Sequence, residues 1–503
     1  MLLGVAWLMA TPPGSAFDEP AHYTKAIGVG RGEFRGQAPT ARPEDVRKLI
    51  DSATKNPELL AALGNAVTSP AGRWQTRTTR RFNVPPALFS GNLGCTYGRR
   101  AESAACVARP EPPARLTGPV GSYVGTYQPY LYLPAGLAIR VANSPYTAVR
   151  LGRAATLLVG LALLIAAVWL LWSPRAGSLS LMGFAVAVTP MVIFVASVLS
   201  PTGPEVAAAV CFSAGLLRLG RDERVPGWIW VALAASGAVL AAARSLGPAF
   251  LVLMLVSVAA LVGPRRLVGA ARSGGVAAAA AGLAIAAAAA AGVWWQLTRQ
   301  PHPSPNRTSV TDALGPSWDH LGEIAREAVG VFGALDAPMP GAGEWLWYAL
   351  LAGLGATAMH VGRGRERLSV PALLVAALAV ALGMSVVYRE IGPLHGRYVL
   401  PFLVLVPLWY GEVVLRGRDR LPAGLARALP ILIFGVAAGV QVLGWWSSSR
   451  RFAVGDDGPW LFLGDAQWSP PAGWWPWVLL VALAAAAYVA TGSSGRWLPR
   501  ARS

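Results

Sequence analysis

The residues best suited to chemistry lie in FDEPAHYTKA, Phe17 to Ala26. Asp18 and Glu19 follow closely on the apolar run MLLGVAWLMA, where a helix would leave a membrane. Two adjacent carboxylates are costly at that depth unless they are used. One use is general base catalysis, in which a carboxylate takes the proton of an acceptor hydroxyl as its oxygen attacks the anomeric carbon of a sugar. Nucleotide sugars are not at hand on the outer face, whereas a sugar on a lipid phosphate would present its reactive carbon at this depth. The leaving lipid phosphate would need cations. Arg244, Arg389, Arg397 and His395 are the candidates, and His22 is placed to orient the base or touch the acceptor. The competing reading is an acidic helix cap: Pro20 suits a first helical turn, with Asp18 or Glu19 at its start.

The second informative stretch is YREIGPLHGRYVLPFL, Tyr388 to Leu403. Its arginines, His395 and Tyr398 fit phosphate recognition. They fit interfacial anchoring equally well, with Tyr388 and Tyr398 in an aromatic belt and the arginines snorkelling. Arg244 stands between two apolar runs, and intramembrane cations are functional candidates by default. Glu205, in LSPTGPEVAA, reads first as a helix cap and second as a cavity-facing acid. Cys95 and Cys106 share one polar region and are expected to form a disulfide, the alternative being two thiols; Cys211 falls in an apolar run. No CxxC pair or histidine cluster supports a metal finger.

These residues must be positioned by membrane-spanning helices. Of the chain, 54% is hydrophobic and 14% charged, against roughly 25% charged in soluble domains. That excludes a soluble enzyme, a disordered chain and a disulfide-dense scaffold. The net charge of +18 is almost all arginine; without basic patches interleaved with aromatics it does not indicate nucleic acid. The expected fold is an all-α polytopic membrane protein of about 12 spans, each of roughly 20 residues. Spans are expected near 154–172, 180–199, 227–243, 246–262, 275–297, 342–361, 369–388, 397–415, 428–446 and 474–491, with a weaker one at 202–217 and an incomplete first one over 1–11. Upstream sequence is expected to complete that first span, which does not read as a cleaved signal peptide.

Arginine clusters recur in every second connection: Arg218/Arg221/Arg224, Arg265/Arg266/Arg272, Arg363/Arg365/Arg367, Arg416/Arg418/Arg420/Arg427 and Arg496/Arg500/Arg502. The positive-inside rule makes these connections and both termini cytoplasmic. Residues 12–153 then form a large extracytoplasmic loop with interfacial helices, in which 127–142 is interfacial or re-entrant. A transmembrane bundle over 154–297, a second outer loop over 298–341, a C-terminal bundle over 342–491 and a cytoplasmic tail over 492–503 complete the division.

FDEPAHY, the Cys95 and Cys106 pair, YVGTYQPYLYLPAGL, TPMVIFVASVLSP, VFGALDAPMP and HGRYVLP, in that order, resemble the domain of unknown function 2142 family of bacterial membrane proteins. The resemblance covers nearly the whole chain, and DEPAH and GRYVLP are its most specific pieces. That family is similar in layout to the GT-C superfamily of polyprenyl-phosphate-dependent glycosyltransferases. The resemblance implies Asp18 as catalytic base, and Glu19 as its partner or as a contact to a divalent cation. It implies a polyprenyl-phosphate-linked sugar as donor and a cell-envelope glycan or protein as acceptor, in the cytoplasmic (inner) membrane. The sequence departs from the family pattern at Thr202-Gly203-Pro204, which separates Glu205 from SVLSP, and at His395, where the pattern has Gln. Two other readings compete: a transporter or flippase of lipid-linked glycans, and a non-catalytic envelope-assembly protein. The chain has no Walker A, HExxH or GxSxG motif, so ATP-driven transport by this chain alone is not expected.

Overall fold

A computed structural model of the chain describes residues 1–39, 69–109, 111, 116, 118–221, 225–301, 309–388 and 394–494. Arg224, Arg389, Glu390, Arg496, Arg500 and Arg502 lie outside the described residues.

Each expected span corresponds to helix. Among the described residues six helices are long and apolar enough to cross a membrane, namely Pro145–Leu171, Pro264–Arg299, Arg365–Tyr388, Gly396–Arg416, Ala423–Val454 and Trp475–Ser493. The first expected span is the short helix Leu2–Ala10, and Gly227–Ala243 and Gly247–Val262 are shorter apolar helices. The span expected over 180–199 is instead a pair of helical pieces, Gly177–Ala187 and Pro190–Ala196, bent by 71°. The cause is local: Thr189 caps the second piece, its side chain accepting from Val192 N, and Pro190 opens it. Gln441 Nε2 donates to Val188 O at 2.8 Å, satisfying a carbonyl that the break frees.

The boundary expected at 153 falls inside a helix. Ser144 accepts from Thr147 N and Pro145 takes the first turn, so the helix starts there and carries Arg150 and Arg153 within it. Helix Thr202–Leu219 runs through the middle of the bundle, every residue but Arg218 buried, and packs on Pro145–Leu171 and Gly227–Ala243. Its alanines and glycines let these backbones approach. Arg221 and Arg416, from two of the arginine-rich connections, converge on the buried carboxylate of Glu412, so those connections share one face of the molecule.

The described residues between Thr11 and Ser144 build a cap on the opposite end. Helix Glu19–Gly30 crosses Leu133–Ile139 so closely that a Cβ on Gly30 would lie 2.2 Å from Gly136 O. The segment expected to be interfacial or re-entrant, 127–142, forms a turn of 3-10 helix, Tyr130–Tyr132, followed by Leu133–Ile139. Strands Arg80–Phe82 and Val120–Ser122 pair antiparallel, Arg81 opposite Gly121. Cys95 and Cys106 are joined by a disulfide, and Arg451 holds that loop by donating to Thr96 O, Arg99 O and Glu102 O and to Asp336 Oδ2 at 2.8 Å.

One ion pair ties cap to bundle. Arg153 and Glu19 are both fully buried. Arg153 Nε and Nη2 donate to the two Glu19 oxygens at 2.7 and 2.5 Å. Its remaining N–H groups donate to Leu8 O, Thr11 O and Pro12 O. Glu19 also accepts from Gly14 N and Leu199 N, so all five donors of the guanidinium and four acceptor positions of the carboxylate are used. Removing one partner leaves an uncompensated buried charge. Arg153→Met is expected to cost about 3–5 kcal/mol, read as lost thermal stability in detergent. Arg153→Met/Glu19→Leu is expected to recover part of that loss. A single variant as stable as the wild type would contradict this role.

Candidate active site

Asp18 stands at the N-terminal boundary of helix Glu19–Gly30 with φ +53° and ψ 12°, in the left-handed region. A non-glycine residue there is strained, and such outliers gather at functional sites. Its side chain makes no capping hydrogen bond. The acidic-cap alternative therefore does not hold for Asp18. Its Oδ1 accepts from Tyr123 Oη at 2.8 Å and its Oδ2 from Arg397 Nη2 at 2.9 Å. The side chain is 31% exposed, against 7% for Arg397.

Arg397 stacks over the Phe17 ring, 4.1 Å from its centroid, and its Nη2 also donates to Tyr398 Oη at 3.0 Å. Among the described residues its Nε and Nη1 have no partner. Arg244 lies on the Tyr398 ring at 4.5 Å, and Arg397 is 4.9 Å from the same centroid. Tyr398 stacks on Tyr388 at 5.5 Å, with an interplanar angle of 12°. Arg244 is also 5.9 Å from the Tyr127 ring. Glu205, expected first as a cap, makes no capping bond and instead faces Arg244 at 3.7 Å. The result is two carboxylate–arginine pairs, Asp18 with Arg397 and Glu205 with Arg244, converging on one tyrosine ring.

The other expected site residues separate. Glu19 is not free to serve as partner of Asp18 or as metal contact, because Arg153 and two backbone N–H groups occupy its oxygens. Among the described residues no group of three or more His, Cys, Asp or Glu could hold a metal ion. His22 is buried, its Nδ1 2.7 Å from Tyr132 Oη. Burial pushes it down to about 3, so it is neutral and packs inside the cap against Tyr132. His395 pairs with Glu327, a residue to which the sequence reading gave no role. Gly396 makes this approach feasible, since a Cβ there would lie 2.3 Å from Ile324 O. Lys25 also escaped notice: its Nζ donates to Gly125 O and Tyr127 O, both at 2.6 Å, fixing the loop that carries Tyr123 and Tyr127.

On another side of helix Gly396–Leu403 lies an apolar cavity of about 420 Å³, lined by residues including Ile324, Trp347, Leu374, Leu378, Leu400 and Leu403.

The family described as "Predicted membrane protein (DUF2142)" matches residues 1–406. The chain belongs to this family. With several apolar helices, this DUF2142 member is a multi-pass membrane protein. No curated protein matches it. Among solved structures it is similar to ArnT from Cupriavidus metallidurans in the apo state, at 14% identity and a TM-score of 0.36, covering 73% of this chain and 65% of that one. It is similar also to ArnT from the same organism bound to undecaprenyl phosphate, at 16% identity and a TM-score of 0.35, covering 73% and 66%. The chain thus spans just under two thirds of the length of either, and scores this low say nothing about activity.

Burial would raise the Asp18 carboxyl, but Arg397 foremost, then His22, the Tyr123 hydrogen bond and Arg244, hold it below its usual 3.8. Its ionised form therefore stabilises the fold above pH 3.8, and that contribution is lost as pH falls through the lower folded value. Arg397→Gln removes the largest charge that opposes burial. The Asp18 titration is then expected to move upward, read as the infrared carboxyl band that disappears with Asp18→Asn. An unmoved or lower midpoint would contradict the electrostatics described.

Proposed function

We propose that this DUF2142 protein is a glycosyltransferase of the GT-C type. It moves a sugar from a polyprenyl-phosphate carrier to a hydroxyl of a cell-envelope acceptor on the outer face of the cytoplasmic membrane. The observation that carries the reading is the Asp18 carboxylate: held in a strained backbone, not used as a cap, partly open, and beside two arginines on one tyrosine ring.

In this reading the acceptor oxygen attacks the anomeric carbon as the bond from that carbon to the phosphate oxygen breaks, inverting the centre. The acceptor proton passes to Asp18. The electron pair leaves on the lipid phosphate, whose charge is met by Arg397 and Arg244. Both cations have N–H groups unused by described residues, so a phosphate binds without dismantling the pairs with Asp18 and Glu205. Glu19 and Arg153 act at one remove by fixing the turn on which Asp18 stands. The apolar cavity offers the carrier's chain a place beside the helix of Arg397. The Cys95–Cys106 disulfide supports placing the cap in an oxidising, extracytoplasmic compartment.

The test is transfer from a polyprenyl-phosphate-linked sugar by protein in lipid nanodiscs. Asp18→Asn is expected to fold and insert but to lose roughly 100-fold or more in rate. Wild-type rates in that variant would remove Asp18 from the mechanism. Movement of an intact lipid-linked sugar across the bilayer without transfer would favour a flippase.

A further inference from the structure

His395 was expected among the phosphate-binding cations, and its surroundings point elsewhere. Its Nδ1 lies 3.2 and 3.3 Å from the two oxygens of Glu327. Glu327 is buried on helix Leu321–Gly330 and also accepts from Gly396 N at 2.6 Å. An ionised carboxylate only accepts hydrogen bonds, so Nδ1 carries the bridging hydrogen. In a neutral imidazole that leaves Nε2 as a bare lone pair, an acceptor rather than a donor. Among the described residues Nε2 has no partner. The ring lies 5.9 Å from that of Tyr398, whose other neighbours include Tyr388, Arg244 and Arg397. His395 is 29% exposed, like Asp18 at 31%, whereas Arg244 and Arg397 are 10% and 7% exposed. His395 and Asp18 are thus both partly exposed, and the two arginines between which Tyr398 lies are more deeply buried.

We infer that His395 accepts a hydrogen bond from a hydroxyl of the acceptor substrate, and that Glu327 is the positioning residue that holds it in the tautomer able to do so. The inference rests on the transferase reading and adds to it a polyhydroxylated acceptor gripped at a second hydroxyl, while Asp18 deprotonates the attacking one. A phosphate oxygen offers no hydrogen to a bare Nε2, whereas a hydroxyl does. A glutamine side chain also carries an acceptor oxygen, so the role is expected to survive His395→Gln.

The first measurement is independent of turnover. In protein labelled with ¹⁵N-histidine, the chain gives five histidines, and His395→Gln identifies the signal that matters. Wild-type His395 is expected as the neutral Nδ1–H tautomer. Glu327→Gln, whose amide can donate to Nδ1, is expected to shift it toward Nε2–H. A wild-type His395 carrying hydrogen on Nε2 would overturn the inference.

The second measurement is kinetic, with a polyprenyl-phosphate-linked pentose as donor and a soluble oligosaccharide as acceptor. His395→Phe is expected to raise the acceptor KM roughly tenfold, the loss of one hydrogen bond. His395→Gln is expected to restore most of that loss. A rise in donor KM instead would return His395 to the phosphate and overturn the inference. If wild-type protein cleaves no lipid-linked donor, the transferase reading fails, whichever tautomer His395 holds.

Discussion

Two charges removed completely from water hold this protein in shape. Glu19 and Arg153 would each be costly to bury alone. Here every hydrogen-bonding position of both is filled, by one another and by the backbone at Leu8, Thr11, Pro12, Gly14 and Leu199. The consequence is geometric. The end of the first helix, the turn before the second, the long helix from Pro145 and the loop after the broken pair at Thr189 are fastened at one point. Asp18 is the residue next to that point. Its left-handed backbone persists because the neighbour cannot move, so the strain is borne by the fold rather than relieved by it.

From this anchor the site follows by short steps. The turn aims Asp18 away from its own helix N-terminus and toward Arg397 and Tyr123. Lys25, buried and pushed down to about 7 by that burial, ties the tyrosine-rich loop to the same helix. Glu327 and Gly396 seat the helix that carries Arg397 and Tyr398. The cations are thus balanced in the resting protein, Asp18 against Arg397 and Glu205 against Arg244, while several of their N–H groups are unpartnered among the described residues. In the proposed reaction a carrier phosphate would add hydrogen bonds there without first breaking any, a preorganised arrangement suited to a charge that develops during a reaction.

Much of this was legible as pattern and little as pairing. The carboxylates after the first apolar run, the cations Arg244 and Arg397, the cysteine pair and the helical spans could be read because each is local: composition and spacing declare them. Asp18 and Glu19 look equivalent in sequence, and only the αL turn sends one outward and the other into the interior. Arg153 was read as the last residue of a loop because two arginines obscured a helix start that Ser144 and Pro145 define. Glu327 gave no signal, since its partners Gly396 and His395 lie far along the chain. Glu205 was read as a cap because first-turn acids usually are, and its neighbour Arg244 stands just past the end of the next helix. The break at Thr189 was written in Thr-Pro, a capping signature hidden inside an apolar run long enough to be one span.

The central claim is that a carrier phosphate sits on Arg244 and Arg397 with the sugar's reactive carbon toward Asp18. The most direct measurement is an electron cryo-microscopy structure of the protein in nanodiscs with a polyprenyl-phosphate-linked sugar bound. The account predicts phosphate density in contact with both guanidinium groups beside the Tyr398 ring, and the anomeric carbon facing the Asp18 carboxylate. A headgroup bound elsewhere, with neither arginine in contact and no sugar at Asp18, would contradict it.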